Sequence, residues 1–292
     1  MRNPTRSSRP KETPYPPYWA DLHLHTTYSD GHLTPAQLVK KAHSEGVKVL
    51  AVTDHDTIAG WEPTRAAAET HGLTVIPGVE LSVTVDGREV HLLGYGFDPE
   101  HEGLKRHLRA FIDARFERAA SMVGRLQELG IAITMDDVQP EGVATPALGR
   151  PHVARALVEG GHVETHDQAF EEYLGRGQSV FVGKPDVPAA DALAMLHDAG
   201  GIGVLAHPGH WTPTATLRAL VDAGLDGLEI RHPSHDDMLR SYYARLAGSY
   251  GLLQTGGSDY HGRPDRSQST PGRWGLSKAE WSHLRERLTG NG

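Results

Sequence analysis

No cysteine occurs among the 292 residues, which excludes disulfides, thiolate metal sites and a cysteine nucleophile. No apolar run approaches the roughly 20 residues of a membrane-crossing helix, so a membrane is not an expected partner. Excess positive charge is missing too: 29 Lys plus Arg against 37 Asp plus Glu leave −8, which gives no basic field for gripping long nucleic acid. Residues 1–18 are basic and Pro-rich without the apolar core of a signal peptide, and read as a flexible tail, with the cytoplasm as expected location. A hydrophobic content of 38% suffices for one large α/β barrel or two domains. Only five Phe and five Met occur, against nineteen His. That imbalance is what a chain with several imidazole ligands would show.

The stretch that organises the rest is Asp21-Leu22-His23-Leu24-His25, followed by Thr26-Thr27-Tyr28-Ser29-Asp30-Gly31. In a strand, side chains alternate, so His23 and His25 share one face while Leu22 and Leu24 pack on the other. Two converging imidazoles at a strand end, with Asp30 in the next turn, suit a divalent ion. Alone the pair could equally be hydrogen-bonded surface histidines, so partners are needed elsewhere.

Thr34-Pro35-Ala36-Gln37 is a capping box with Pro at the first helical position. It predicts a helix to about residue 45, followed by a buried parallel strand over 47–52. A helix over 60–71 and strands over 73–76 and 78–80 continue the alternation, which argues for a parallel sheet or barrel. A hairpin follows: 81–85, the turn Asp86-Gly87, then 88–95. From 99 to 180 the pattern turns helical, with Leu104, Leu108, Phe111, Phe116, Met122, Leu126 and Leu129 at helical intervals, an inserted helical subdomain. Alternation then resumes: helix 189–199, strand 202–206, helix 214–223, strand 227–230, helix 236–250, strand 252–255, and a last helix opened by the capping box Ser277-Lys278-Ala279-Glu280. The expected division is a tail over 1–18, barrel parts over 19–98 and 181–292, and the insertion between them.

Polar residues fall at successive strand ends: His23 and His25, His55, Glu80, His207, Glu229, then Asp259 and His261. That edge is where active sites assemble in barrels and open α/β sheets. His23, His25, Asp30, His55, Glu80, His91, His207, Asp259 and His261 are too many ligands for one ion and fit two or three. Mixed nitrogen and oxygen donors favour manganese, zinc or iron over calcium without choosing among them. Such a cluster hosts a phosphate and activates water for in-line displacement.

These residues resemble a known family. HxH with the SDG turn, TDHD, GVE, HLLGY, AHP and GSDYH, in this order, look like the polymerase and histidinol phosphatase (PHP) superfamily of metal-dependent phosphoesterases, over about residues 19–262. The resemblance implies a distorted (β/α)7 barrel and two or three divalent ions, manganese foremost, with zinc, iron(II) or magnesium as alternatives. It also implies ligand sets: His23, His25, Glu80 and Asp259, the catalytic group that activates water; Glu80, His91 and His207; and Asp30, His55 and His261. Within the superfamily, the insert after HLLGY, Gly149-Arg150-Pro151-His152 and the stretch from Leu228 to His235 are similar to the group that removes the 3′-phosphate of 3′,5′-nucleoside bisphosphates and trims short RNA from the 5′ end.

A histidinol-phosphate or other small phosphomonoester phosphatase is the alternative, disfavoured by the large insert. A metal-dependent amidohydrolase would want a bridging Lys on a middle strand. A non-catalytic, metal-stabilised binding module would be expected to have lost ligands. The expected partner is small, a nucleotide or short oligonucleotide, because the insert carries nine Lys plus Arg against thirteen Asp plus Glu and so lacks a basic track. Arg115 falls inside the apolar stripe of Leu108, Ala119, Met122 and Leu126, where a charge needs a partner. Either it holds a substrate phosphate, together with Arg118, Arg150 and His235, or it pairs with a barrel carboxylate or snorkels out along its apolar stem.

Overall fold

A computed structural model describes residues 18–139, 145–184, 186–210, 212–263 and 270–290; residues 1–17, nearly all of the expected tail, lie outside it. Strands β1 (Ala20–Leu24), β2 (Val49–Val52) and β3 (Thr74–Ile76) pair in parallel in that order. Pro77 alone separates β3 from β4 (Gly78–Val85), so the two make one bent strand whose halves serve different sheets. Proline has no N–H to give a ladder, and the change of partner falls there. β4 pairs antiparallel with β5 (Arg88–Tyr95) across Asp86-Gly87, both at positive φ (50° and 72°) as a type I′ turn requires. β5 is antiparallel to β6 (Ile202–Leu205), and β7 (Gly227–Arg231) and β8 (Leu253–Gly256) continue in parallel. Single bridges, His55 with Glu80 and Leu24 with Tyr260, join the two sheets. The strands therefore follow sequence order around a ring, the bent β3/β4 counting as one of seven: a distorted (β/α)7 barrel with one strand reversed.

Helices α1 (Pro35–Ser44), capped by Thr34 and Gln37 as expected, and α2 (Trp61–Glu69) cover the first sheet. The stretch expected as an insertion holds α3 (Glu102–Glu128), α4 (Met135–Val138), α5 (Arg150–Glu159), α6 (His166–Ala169) and a π-helical turn over Phe170–Leu174. Helices α7 (Ala189–Asp198), α8 (Thr214–Asp222) and α9 (Asp237–Tyr250) line the second sheet, and α10 (Lys278–Thr289), capped by Ser277, closes the barrel floor. The interior holds Ala20, Leu22, Ala51, Leu93, Tyr95 and Val204, and the Tyr95 hydroxyl donates across it to the Leu22 carbonyl at 2.7 Å.

Two expectations are corrected. The β1–β2 register slips between Asp21 and Leu24, so Leu22 joins the interior while Leu24 joins the cluster of α1 residues Leu38, Val39 and Ala42; the strict alternation of the two leucines breaks at that bulge. On α3, Leu104, Leu108, Met122 and Leu126 are buried, but Phe116 and Leu129 are about half exposed (48% and 53%). The helix changes partners along its length: Leu104 and Leu108 pack on the barrel, and Ala119 to Leu126 on a separate core built from insert residues. One continuous stripe would have had to follow a single partner.

Candidate metal centre

Glu80 lies early in β4, 1% exposed, where five rings converge on its carboxylate. Oε1 meets His91 Nδ1 at 2.7 Å and His207 Nε2 at 3.0 Å; Oε2 meets His23 Nε2 at 3.1 Å, His25 Nε2 at 3.2 Å and His55 Nδ1 at 3.3 Å. Asp259 Oδ1 approaches His23 and His25 at 3.3 and 3.2 Å, and Asp30 Oδ1 approaches His261 at 3.2 Å. The structure thus brings together all nine side chains expected as ligands. Their donor atoms define three overlapping groups, each within 4.8 Å: His23, His25, Glu80 and Asp259; His25, Asp30, His55 and His261; and His55, Glu80 and His91. The first matches the expected set. Across the three groups His25, His55 and Glu80 each serve twice, and His207 stands beside Glu80 outside them.

The backbone supports this convergence. Asp56, His207 and Asp259 adopt positive φ (55°, 26° and 50°), an uncommon conformation for non-glycine residues that collects at functional sites. Glu229, fully buried in β7, receives His23 Nδ1 at 3.0 Å and the His207 backbone N–H at 2.8 Å. A carboxylate on Nδ1 orients the ring and leaves Nε2 for a ligand, as in carboxylate–histidine–metal arrangements. Asp54 accepts from the Thr26 N–H and hydroxyl and from Ser29 Oγ (2.8, 2.6 and 2.5 Å), which ties the turn carrying Asp30 to the end of β2.

Burial opposes charge on His25, but the nearby carboxylates of Asp259 and Glu80 outweigh it and hold its pKa up at about 10. Burial, helped by neighbouring His25 and His91, pushes His55 well below the ordinary imidazole range despite Glu80 and Asp30. His25 Nε2, His55 Nδ1 and Asp30 Oδ1 are buried, and their contacts of 3.2–3.3 Å with Glu80, Asp259 and His261 miss hydrogen-bond geometry, a costly state for polar atoms. A cation shared among them removes that cost, so the residues fit divalent ions.

Beside the centre, a cavity of about 170 Å³ is lined by Asp30, His55 and His91 on one side and by Arg115, Arg118, Arg150 and Lys184 on the other. Arg115 pairs through Nε with Asp56 at 2.6 Å and donates to the Leu148 carbonyl and Ser82 Oγ at 3.0 and 3.3 Å. The barrel carboxylate weighed as its alternative partner is therefore present. Two of the five guanidinium N–H groups stay uncommitted. Arg118 is pushed down to about 10 by burial and by Arg150 and Arg115, and Arg150 lies 5.6 and 5.4 Å from the Phe170 and Phe181 rings. His235 does not line this cavity: its Nδ1 faces the Ile230 carbonyl at 2.9 Å, and its Nε2 accepts the Gly209 N–H at 3.1 Å.

Some residues at the centre carried no signal in the sequence. Lys184 lies on the loop leading out of the insert, yet its Nζ reaches Glu89 at 2.5 Å, Ser82 Oγ at 3.0 Å and His91 Nε2 at 3.3 Å. His232 Nε2 stands 3.3 Å from Asp259 Oδ2; it belongs to a quoted motif but had no assigned role.

A protein with this barrel and such clustered His and carboxylate donors has the makings of a metal-dependent hydrolase. Residues 21–136 match the PHP domain model. A 5′-3′ exoribonuclease of Haemophilus influenzae is 37% identical, the match covering 82% of this chain and 89% of that protein; a 3′,5′-nucleoside bisphosphate phosphatase of Chromobacterium violaceum is 36% identical over 82% and 86%. A solved structure from Bifidobacterium adolescentis, presented as a metal-dependent phosphoesterase, superposes with a TM-score of 0.84 at 33% identity, covering 94% of this chain and 98% of that one. The chain belongs to the PHP family, and the expected enzyme class, a hydrolase of phosphoric esters, stands with it.

Proposed function

We propose that the chain removes the 3′-phosphate from 3′,5′-nucleoside bisphosphates and trims short RNA from its 5′ end. The observation that carries this reading is the cationic cavity opening directly on Asp30, His55 and His91. A substrate with one phosphate at the nine-residue centre and a second anionic group a nucleoside away meets both. Two or three divalent ions, manganese foremost, would be held by His23, His25, Glu80 and Asp259, by Glu80, His91, His207 and His55, and by Asp30, His55, His261 and His25. When bound they supply activated water and neutralise charge on the phosphoryl oxygens.

The chain's own residues set the geometry. Glu80 spaces five imidazoles, Glu229 turns His23 and anchors the backbone at His207, and Arg115, Arg118 and Arg150 hold the distal phosphate. Arg115 already pairs with Asp56, whereas Arg118 and Arg150 have no carboxylate partner among the described residues and repel one another, which favours an anion beside them. His235 acts on this substrate side only through the loop that it ties at Gly209. The absence of excess basic charge restricts the partner to small phosphorylated molecules.

Manganese-loaded protein, assayed side by side on a 3′,5′-bisphosphate, histidinol phosphate and a 5′-phosphorylated RNA of a few residues, should prefer the first and third and lose turnover on chelation. Preference for histidinol phosphate, or full activity after complete metal removal, would overturn the proposal.

A further inference from the structure

A second cavity, of about 480 Å³, lies on the other side of His91. His91 and Glu89 line both cavities, and His207 lines the larger. The candidate metal centre therefore stands between two chambers of different character. The smaller is lined by buried arginines, Arg115 and Arg118 being 8% and 5% exposed. The larger has an apolar wall that includes Val90, Leu205 and Pro208, and two exposed arginines, Arg88 from the hairpin and Arg176 from the insert. Neither makes a hydrogen bond or ion pair with a described residue. Its volume is in the range of small-molecule sites, with polar groups at the edge and apolar surface inside.

We infer that this larger cavity binds the nucleoside on the 3′ side of the scissile phosphate when the substrate is a 5′-phosphorylated phosphodiester. The inference rests on the phosphoesterase reading above. An enzyme that works inward from a 5′ end has to stop that end and let the remainder of the chain out. The smaller cationic cavity, with buried arginines, suits a terminal phosphate, and the larger cavity with exposed arginines suits a base and the next phosphate. A nucleoside bisphosphate is then the shortest member of one series, with this cavity empty.

The same bond breaks in both substrates. The oxygen of water bonds to phosphorus, the P–O3′ bond breaks, its electron pair leaves on O3′, and a proton from the water ends there. The phosphoryl group stays with the downstream nucleotide of the dinucleotide and leaves the bisphosphate as inorganic phosphate.

The test compares manganese-loaded full-length protein with the double variant Arg88→Ala, Arg176→Ala on a 3′,5′-bisphosphate and a 5′-phosphorylated dinucleotide. Wild type is expected to convert the dinucleotide into two 5′-mononucleotides. The variant is expected to lower the ratio of kcat/KM for dinucleotide over bisphosphate by about tenfold, the effect of a lost charge-assisted contact. Calorimetric titration of the metal-free chain should show the dinucleotide weakened more than the bisphosphate. An unchanged ratio, no dinucleotide cleavage beside good bisphosphate turnover, or products that are a bisphosphate and a free nucleoside would overturn the inference. No turnover of either substrate would instead overturn the reading beneath it.

Discussion

Arg115 carries two demands at once. Its Nε holds Asp56, whose other oxygen accepts the Ser82 N–H at 2.7 Å, and its remaining N–H groups border the cavity. Lysine can keep the ion pair but cannot reach Leu148 and Ser82 in the same pose. Arg115→Lys is therefore expected to cost about 1–3 kcal/mol of stability and to lower kcat/KM on a bisphosphate. Thermal melts beside kinetics check this; an unchanged melting temperature with unchanged turnover would remove both roles. The sequence made the burial of Arg115 legible, because a helical stripe fixes which side faces in. It left the partner open, since Asp56 reaches Arg115 through a left-handed backbone turn that no periodicity encodes. That the nine residues expected as ligands gather at one place was legible for a related reason: most of them lie at or just beyond the ends of apolar strands, which face one edge. Lys184 was not, because the loop that carries it has no period from which to read a direction.

At the scale of elements, β8 presses against β1 where Gly257 leaves no room. A Cβ there would lie 2.3 Å from the His23 Cβ and 2.4 Å from its backbone nitrogen. Gly257→Ala is expected to destabilise by about 1–3 kcal/mol, as overpacking does, and to reduce bound metal, measured by elemental analysis, because His23 has to move. Gly248→Ala, on α9 with nothing within 4 Å, should be neutral or gain up to about 1 kcal/mol from helix propensity. Equal effects of the two changes would mean that the contact with His23 does not matter. The elements themselves were readable wherever caps and turns have local chemistry, as at Thr34, Asp86-Gly87 and Ser277. The break at Pro77 and the slip in β1 were not, since each depends on which strand lies alongside.

For the molecule as a whole, the strand ring is laddered everywhere except where single bridges join the two sheets, Leu24 with Tyr260 and His55 with Glu80. Both lie at residues of the candidate metal centre or next to them, so cations there would fasten the two weakest joins of the barrel. Ions that bind only the folded state add stability by mass action, about 2.7 kcal/mol for a site at one hundred times its Kd. Chelation should lower the melting temperature and speed amide exchange at His25, Asp56 and Glu80 more than along β4–β5, as mass spectrometry or NMR would read. Uniform exchange would refute the fastening role. The barrel was legible in outline from its alternation, whereas the placement of its seams waited on coordinates. The seam between β1 and β8 also sets a schedule for biosynthesis. His23 and His25 leave the ribosome long before Asp259 and His261, so the two groups that draw on both are finished only after β8, whereas His55, Glu80 and His91 are all present once β5 is made. Loading of the first two groups has to wait for β8, and a cell short of the ion would accumulate apoprotein.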